Sequence, residues 1–200
     1  MEDLTISRSG MSKECICDVC RERICCYHYR VSVTGYDVWR ILKALDLPSW
    51  AFLTYTEAEP ESTESFILDQ QGPPYELILA KSEDQRRYGG CVFLVKTNDG
   101  ECRCGLGDLR PDQCRIYPVF FSEGLAAVIQ DPDGCCRVWS LAEIDIEGER
   151  KASAIYSQRR TEYGAVLSQW NQWVGRNGKR EFNFYEFCTY LENRYAGEQG

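Results

Sequence analysis

Residues Cys91–Phe120 read CVFLVKTNDGECRCGLGDLRPDQCRIYPVF, and this stretch decides the fold. Cys91 to Lys96 (CVFLVK) is apolar and rich in residues that suit a pleated strand. Asn98-Asp99-Gly100 is a turn signal, so the chain is expected to return through Glu101–Cys104 as a hairpin. Pro111 suits the first position of a helix, where its missing N–H has no partner to lose. Asp108 is the candidate cap, placed two residues early. Cys114 then falls near the helix start, where backbone N–H groups and the helix dipole favour thiolate over thiol. Arg110 and Arg115 either set positive charge beside the sulfurs or form surface ion pairs with Asp108 or Asp112, worth about 0–1 kcal/mol.

Working outward, Tyr75–Ala80 (YELILA) reads as a strand. Val119–Ile129, broken at Ser122-Glu123-Gly124, reads as another hairpin. Asp131-Pro132-Asp133-Gly134 is a turn leading into Cys135-Cys136. Toward the N-terminus, residues 12–30 read SKECICDVCRERICCYHYR, with the spacing C-x2-C-x4-C-C from Cys17. A C-x2-C turn aims two thiolates at one ion. Val31 and Val33 alternate as in a short strand. Thr34 and Asp37 match a capping box, and Val38, Ile41, Leu42 and Leu45 share one helix face up to Pro48.

Residues 54–74 carry Glu57, Glu59, Glu61, Glu64, Pro60, Pro73 and Pro74, the composition of an acidic surface loop, with room for a short strand at Ser65–Leu68. Such a loop can attract a basic protein partner, although a solvated face is the plainer reading. From Leu141 onward the pattern is helical. Tyr156, Tyr163, Val166, Leu167, Trp170, Trp173 and Val174 follow helix spacing, and a second aromatic segment runs from Phe182 to Leu191. Cys188 lies within it as a core thiol.

With 200 residues, 44% hydrophobic and 12% aromatic, the chain can bury a core, which excludes wholesale disorder. A net charge of −8 argues against nucleic acid and anionic membrane surfaces, where Lys and Arg supply most of the affinity. No stretch approaches the roughly 18 apolar residues of a membrane span. MEDLTISRSGMSKE holds no apolar run of the secretory kind, so the cytoplasm is the expected compartment.

The chain has 12 cysteines and 1 histidine, His28. Sites that need two histidines are therefore excluded. In a reducing compartment, clustered cysteines point to metal or redox chemistry before disulfides. The adjacent pairs Cys25-Cys26 and Cys135-Cys136 have Cα atoms about 3.8 Å apart, short of the usual disulfide separation of about 4.4–6.8 Å. Soft sulfur donors select zinc or an iron–sulfur cluster. His28, two residues past the first cluster, is an alternative donor.

The motif Cys91-Val92-Phe93-Leu94, Cys104, Arg110-Pro111, Cys114-Arg115 and Tyr117-Pro118 resembles the YkgJ-type cysteine-cluster family of zinc- or iron-chelating domains, which includes flagellin lysine N-methylases. The resemblance spans roughly 15–137. The family run C-x2-C-x2-C-C differs here, because four residues separate Cys20 from Cys25, and Gly107 stands where the family has Tyr. Cys15, Cys102 and Cys136 are additional.

Cys17, Cys20, Cys25, Cys26, Cys91, Cys104, Cys114 and Cys135 best match that pattern and form the expected ligand set, enough for two four-sulfur sites or for one site with spares. The expected architecture is α+β: a small cysteine-rich core of short antiparallel strands and short helices over 12–140, followed by a helical C-terminal extension over 141–200. The expected function is coordination of zinc or an iron–sulfur cluster. The alternative implied by the resemblance is an iron–sulfur enzyme of the protein lysine N-methyltransferase type. Gly105-Leu106-Gly107 is a lone G-x-G and reads as a tight turn, not a nucleotide fingerprint.

Overall fold

The computed structural model describes residues 24–82, 89–98, 100–130, 138–177 and 181–197. It is an α+β arrangement of helices and small two-stranded antiparallel sheets.

The first helix among the described residues, α1 (Ile24–His28), is about one turn long. Helix α2 (Gly35–Leu45) starts at the expected capping box: Thr34 Oγ1 accepts the Asp37 N–H at 3.3 Å, and Asp37 Oδ2 accepts the Thr34 N–H at 3.1 Å. It buries Val38 and Ile41 and ends on Asp46, whose left-handed φ of 52° stops the helix.

Strand β1 (Leu53–Glu57) pairs with β2 (Tyr75–Leu79), with Leu53 opposite Leu79 and Glu57 opposite Tyr75. Val31 and Val33 add main-chain bonds to the same sheet through the Leu79 N–H and the Leu77 carbonyl. The segment expected to be loop from residue 54 is therefore strand as far as Glu57. The rest is pinned from inside: Phe66 is fully buried, exchanges main-chain bonds with Tyr75 and stacks on Phe187 at 3.7 Å. The short strand expected at Ser65–Leu68 is reduced to this single bridge at Phe66, which closes the loop over the core.

Strands β3 (Leu94–Lys96) and β4 (Cys102–Cys104) form the hairpin expected from the turn signal. Helix α3 (Asp112–Ile116) follows a 3₁₀ turn at Gly107–Leu109. Pro111 stands just before α3 and not inside it. Strands β5 (Val119–Ser122) and β6 (Leu125–Val128) are joined by Glu123-Gly124. Both residues have positive φ (50° and 80°), the twist that a two-residue hairpin turn needs, and glycine takes the second position without strain.

Helix α4 (Ile146–Arg176) begins at Asp145, which accepts the Gly148 N–H, and is followed by α5 (Phe184–Gly197). Tyr163, Val166, Leu167, Trp170 and Val174 of α4 pack with Phe187 and Leu191 of α5, Val38 and Ile41 of α2, and Phe52, Leu53 and Leu77 around the first sheet. Cys188 is 1% exposed within α5 and is a core thiol, as expected. Among the described residues no helix is long and apolar enough to cross a membrane.

Candidate metal centre

Four chain segments carry the described cysteines other than Cys188. Cys25 and Cys26 lie on α1, Cys91 just before β3, Cys102 and Cys104 on β4, and Cys114 on α3. Main-chain bonds link three of these segments, α1, the Cys91 segment and β4. The Cys91 N–H donates to the Cys26 carbonyl at 2.9 Å, which fastens α1 to the strand region. Cys91 is bridged to Lys81, and the Gly105 N–H donates to the Phe93 carbonyl at 2.8 Å. Cys104 sits opposite Leu94, so β4 carries its sulfur back alongside Cys91. Each of these cysteines is partly buried, and all are thiols, not half-cystines.

The thiols of Cys25, Cys26, Cys91, Cys104 and Cys114 act on one another electrostatically. Cys26 is held well above the usual thiol range, first by a side-chain hydrogen bond with Cys25, then by burial, then by Cys25, Cys114 and Cys91. Burial is the main cause for Cys114, followed by Cys91, Cys104, Cys25 and the carboxylate of Asp37. Burial also pushes Cys91 up, while the Phe93 backbone N–H and the cation of Lys81 pull it down. Thiolates crowded together raise each other's proton affinity, and a divalent cation placed among them reverses that effect.

Cys102 shares a strand face with Cys104, since alternate residues of β4 point the same way. Its sulfur lies 3.6 Å from the Tyr27 hydroxyl, a contact that raises the Tyr27 phenol to about 12. His28 is exposed at the end of α1. Cys17, Cys20 and Cys135 of the expected ligand set lie outside the described residues, as do Cys15 and Cys136. Among the described residues, no group of three or more His, Cys, Asp or Glu side chains stands in an arrangement able to hold a metal ion.

The two arginines of the R-P-x-x-C-R motif take main-chain partners. Arg110 Nε donates to the Gly107 carbonyl at 3.0 Å, and Arg115 Nη1 donates to the Asp108 carbonyl at 3.0 Å. Asp112 is instead paired with Arg159 of α4, whose guanidinium lies 3.7 Å above the Tyr36 ring. Asp108 does not cap α3. The cap comes from another helix, because Asp37 Oδ1 accepts the Asp112 N–H at 3.1 Å. Arg40 completes this network, donating to Asp37 and to the carbonyls of Asp108 and Arg110.

Sequence reasoning missed two contributors to the sulfur cluster. The local sequence around Asp37 shows a capping box, and nothing in that pattern reveals that Asp37 also fixes the start of the helix that carries Cys114. Lys81 sits ten residues before Cys91 with no motif around it, and no local signal could have singled it out. The chain matches no protein-family model, no curated protein and no solved structure.

Proposed function

We propose that this protein is a metal-binding protein whose clustered cysteine thiolates hold zinc or an iron–sulfur cluster. One observation supports the reading: free, partly buried thiols from separate segments, Cys25 and Cys26 on α1, Cys91, and Cys104 on β4, are drawn toward one another by the Cys91–Cys26 main-chain bond and the β3–β4 register, with Cys114 within electrostatic reach. Ordinary core cysteines behave as small hydrophobes and have no reason to gather. A sulfur-only donor set suits zinc or an iron–sulfur cluster above harder ions.

Loading requires the thiols to give up protons and draw closer, so binding is coupled both to pH and to folding. A zinc ion would act as a structural tie among α1, the Cys91 segment, β4 and α3, whereas an iron–sulfur cluster would supply electron-transfer chemistry. The chain's own contribution is the backbone frame that delivers the sulfurs: the Cys91–Cys26 main-chain bond, the β3–β4 register and the Asp37 cap on α3. Cys17, Cys20 and Cys135 belong to the same proposal, as does membership of the YkgJ-type cysteine-cluster family.

The test is anaerobic purification followed by metal and acid-labile sulfide analysis with an absorption spectrum. Stoichiometric zinc in a colourless protein, or iron with sulfide in a brown one, supports the reading and selects the metal. Protein that purifies, and reconstitutes, without either refutes it.

A further inference from the structure

Lys81 follows the end of β2 by two residues and is bridged to Cys91. Its ammonium donates to the Cys26 carbonyl at 2.9 Å and to the Tyr27 carbonyl at 3.0 Å. Both carbonyls lie in the last turn of α1, where helix carbonyls lack intrahelical partners and a cation is favoured. The Cys26 carbonyl also accepts the Cys91 N–H. One partly buried lysine thus ties the segment bearing Cys25 and Cys26 to the segment bearing Cys91. Burial disfavours its charge, and Cys91, Cys26, Cys25 and Cys114, four of the clustered sulfurs, favour it.

Four thiolates around one divalent ion carry a formal charge of about −2, so the surroundings must supply compensating charge or hydrogen bonds. Arg110 and Arg115, the cations nearest in sequence to Cys114, spend the guanidinium contacts described above on loop carbonyls. Lys81 brings its ammonium to the Cys26 and Tyr27 carbonyls, on the segment that carries Cys25 and Cys26.

We propose that Lys81 is a positioning and charge-balancing residue of the sulfur site, holding α1 against the Cys91 segment and offsetting the negative charge of the loaded centre. The inference rests on the metal-binding reading above. A purely structural role predicts that any side chain able to bond the two carbonyls suffices. A charge-balancing role predicts that the positive charge itself is required.

Metal-free protein titrated anaerobically with Zn2+ against a chromophoric chelator separates the two. Lys81→Met and Lys81→Gln are expected to lose about tenfold or more in zinc affinity, the cost usual for losing an outer partner of a metal site. Lys81→Arg should stay within about threefold of the parent. Lys81→Gln retains N–H donors without charge, so parent-like affinity in that variant overturns the charge role. Parent-like affinity in Lys81→Met overturns the whole inference while leaving the metal site intact. If the parent itself takes up no zinc, the metal-binding reading fails and this inference fails with it. Should the neutral variants not fold, the parent carries the test through acylation of Lys81 followed by mass spectrometry. The rate at Lys81 should fall several-fold on zinc loading, and an unchanged rate overturns the proposal.

Discussion

The buried carboxylate of Asp37 on α2 accepts the backbone N–H of Asp112, the first residue of the helix that carries Cys114, at 3.1 Å. The two residues are far apart in the chain, yet one side chain starts two helices. Its other oxygen accepts from the Thr34 N–H and Thr34 Oγ1. Burial, then the charge of Asp112, pushes the Asp37 carboxyl above its usual range, while the Thr34 and Asp112 N–H groups work against that shift. Removing Asp37 leaves the Thr34 and Asp112 N–H groups without this acceptor and takes the carboxylate away from Arg40, which keeps only the Asp108 and Arg110 carbonyls. Asp37→Ala is expected to cost about 3–5 kcal/mol, the range for breaking a buried charged pair. Urea unfolding of metal-free protein checks this, and Thr34→Ala should cost only about 1 kcal/mol, the usual value of a cap.

Zinc content should respond to individual cysteines selectively. Cys91→Ala, Cys104→Ala and Cys114→Ala are each expected to lower zinc affinity by more than about tenfold, since each removes a sulfur from the shared cluster. Cys188→Ala removes a buried thiol from α5 and should leave zinc affinity unchanged while reducing stability. Competition titration and thermal melting of the same samples separate the two effects.

Much of the α+β outline is legible in the sequence because it depends on local pattern. The Thr34–Asp37 box, the Asn98–Gly100 turn and the aromatic spacing of α4 and α5 each involve residues a few positions apart. What sequence could not yield is long-range: Phe66 closing an acidic segment over Phe187, Asp112 paired with Arg159, and Asp37 capping α3 in place of Asp108. Local pattern allows a short strand around Phe66, but it cannot show which distant ring that phenylalanine stacks on. The candidate site is legible only as a list of thiols, because the partners that hold them, Lys81 and Asp37, lie outside the cysteine motifs.

Phe66 gives that point an energy. Its ring is fully buried and lies nearly parallel to Phe187, with an interplanar angle of 6°. Phe66→Ala is expected to destabilise the protein by about 3–5 kcal/mol, as large core truncations do. Solvated substitutions in the same segment, such as Glu61→Gln, should change stability by less than about 0.5 kcal/mol. Urea midpoints of the two variants check the contrast.

Tyr163 makes an alkaline prediction. Its ring is 2% exposed, and its hydroxyl has no hydrogen-bond partner among the described residues. Burial, and then Tyr195 and Glu64 among its neighbours, pushes the phenol well above its usual 10. The folded state therefore keeps a proton that the unfolded chain releases, and stability falls as pH rises above about 10. Tyr163→Phe is expected to match the parent within about 1 kcal/mol at neutral pH and to lose less stability above pH 10. Unfolding curves at neutral and alkaline pH decide it, and identical alkaline slopes would contradict the assignment.

The most direct test of the central claim is X-ray absorption at the zinc edge of protein loaded with one equivalent of metal. Sulfurs from α1, the Cys91 segment, β4 and α3 gripping one ion predict a shell dominated by sulfur at about 2.3 Å, diminished in Cys114→Ala. A shell of nitrogen and oxygen alone at about 2.0–2.2 Å, or one indifferent to Cys114, would contradict it.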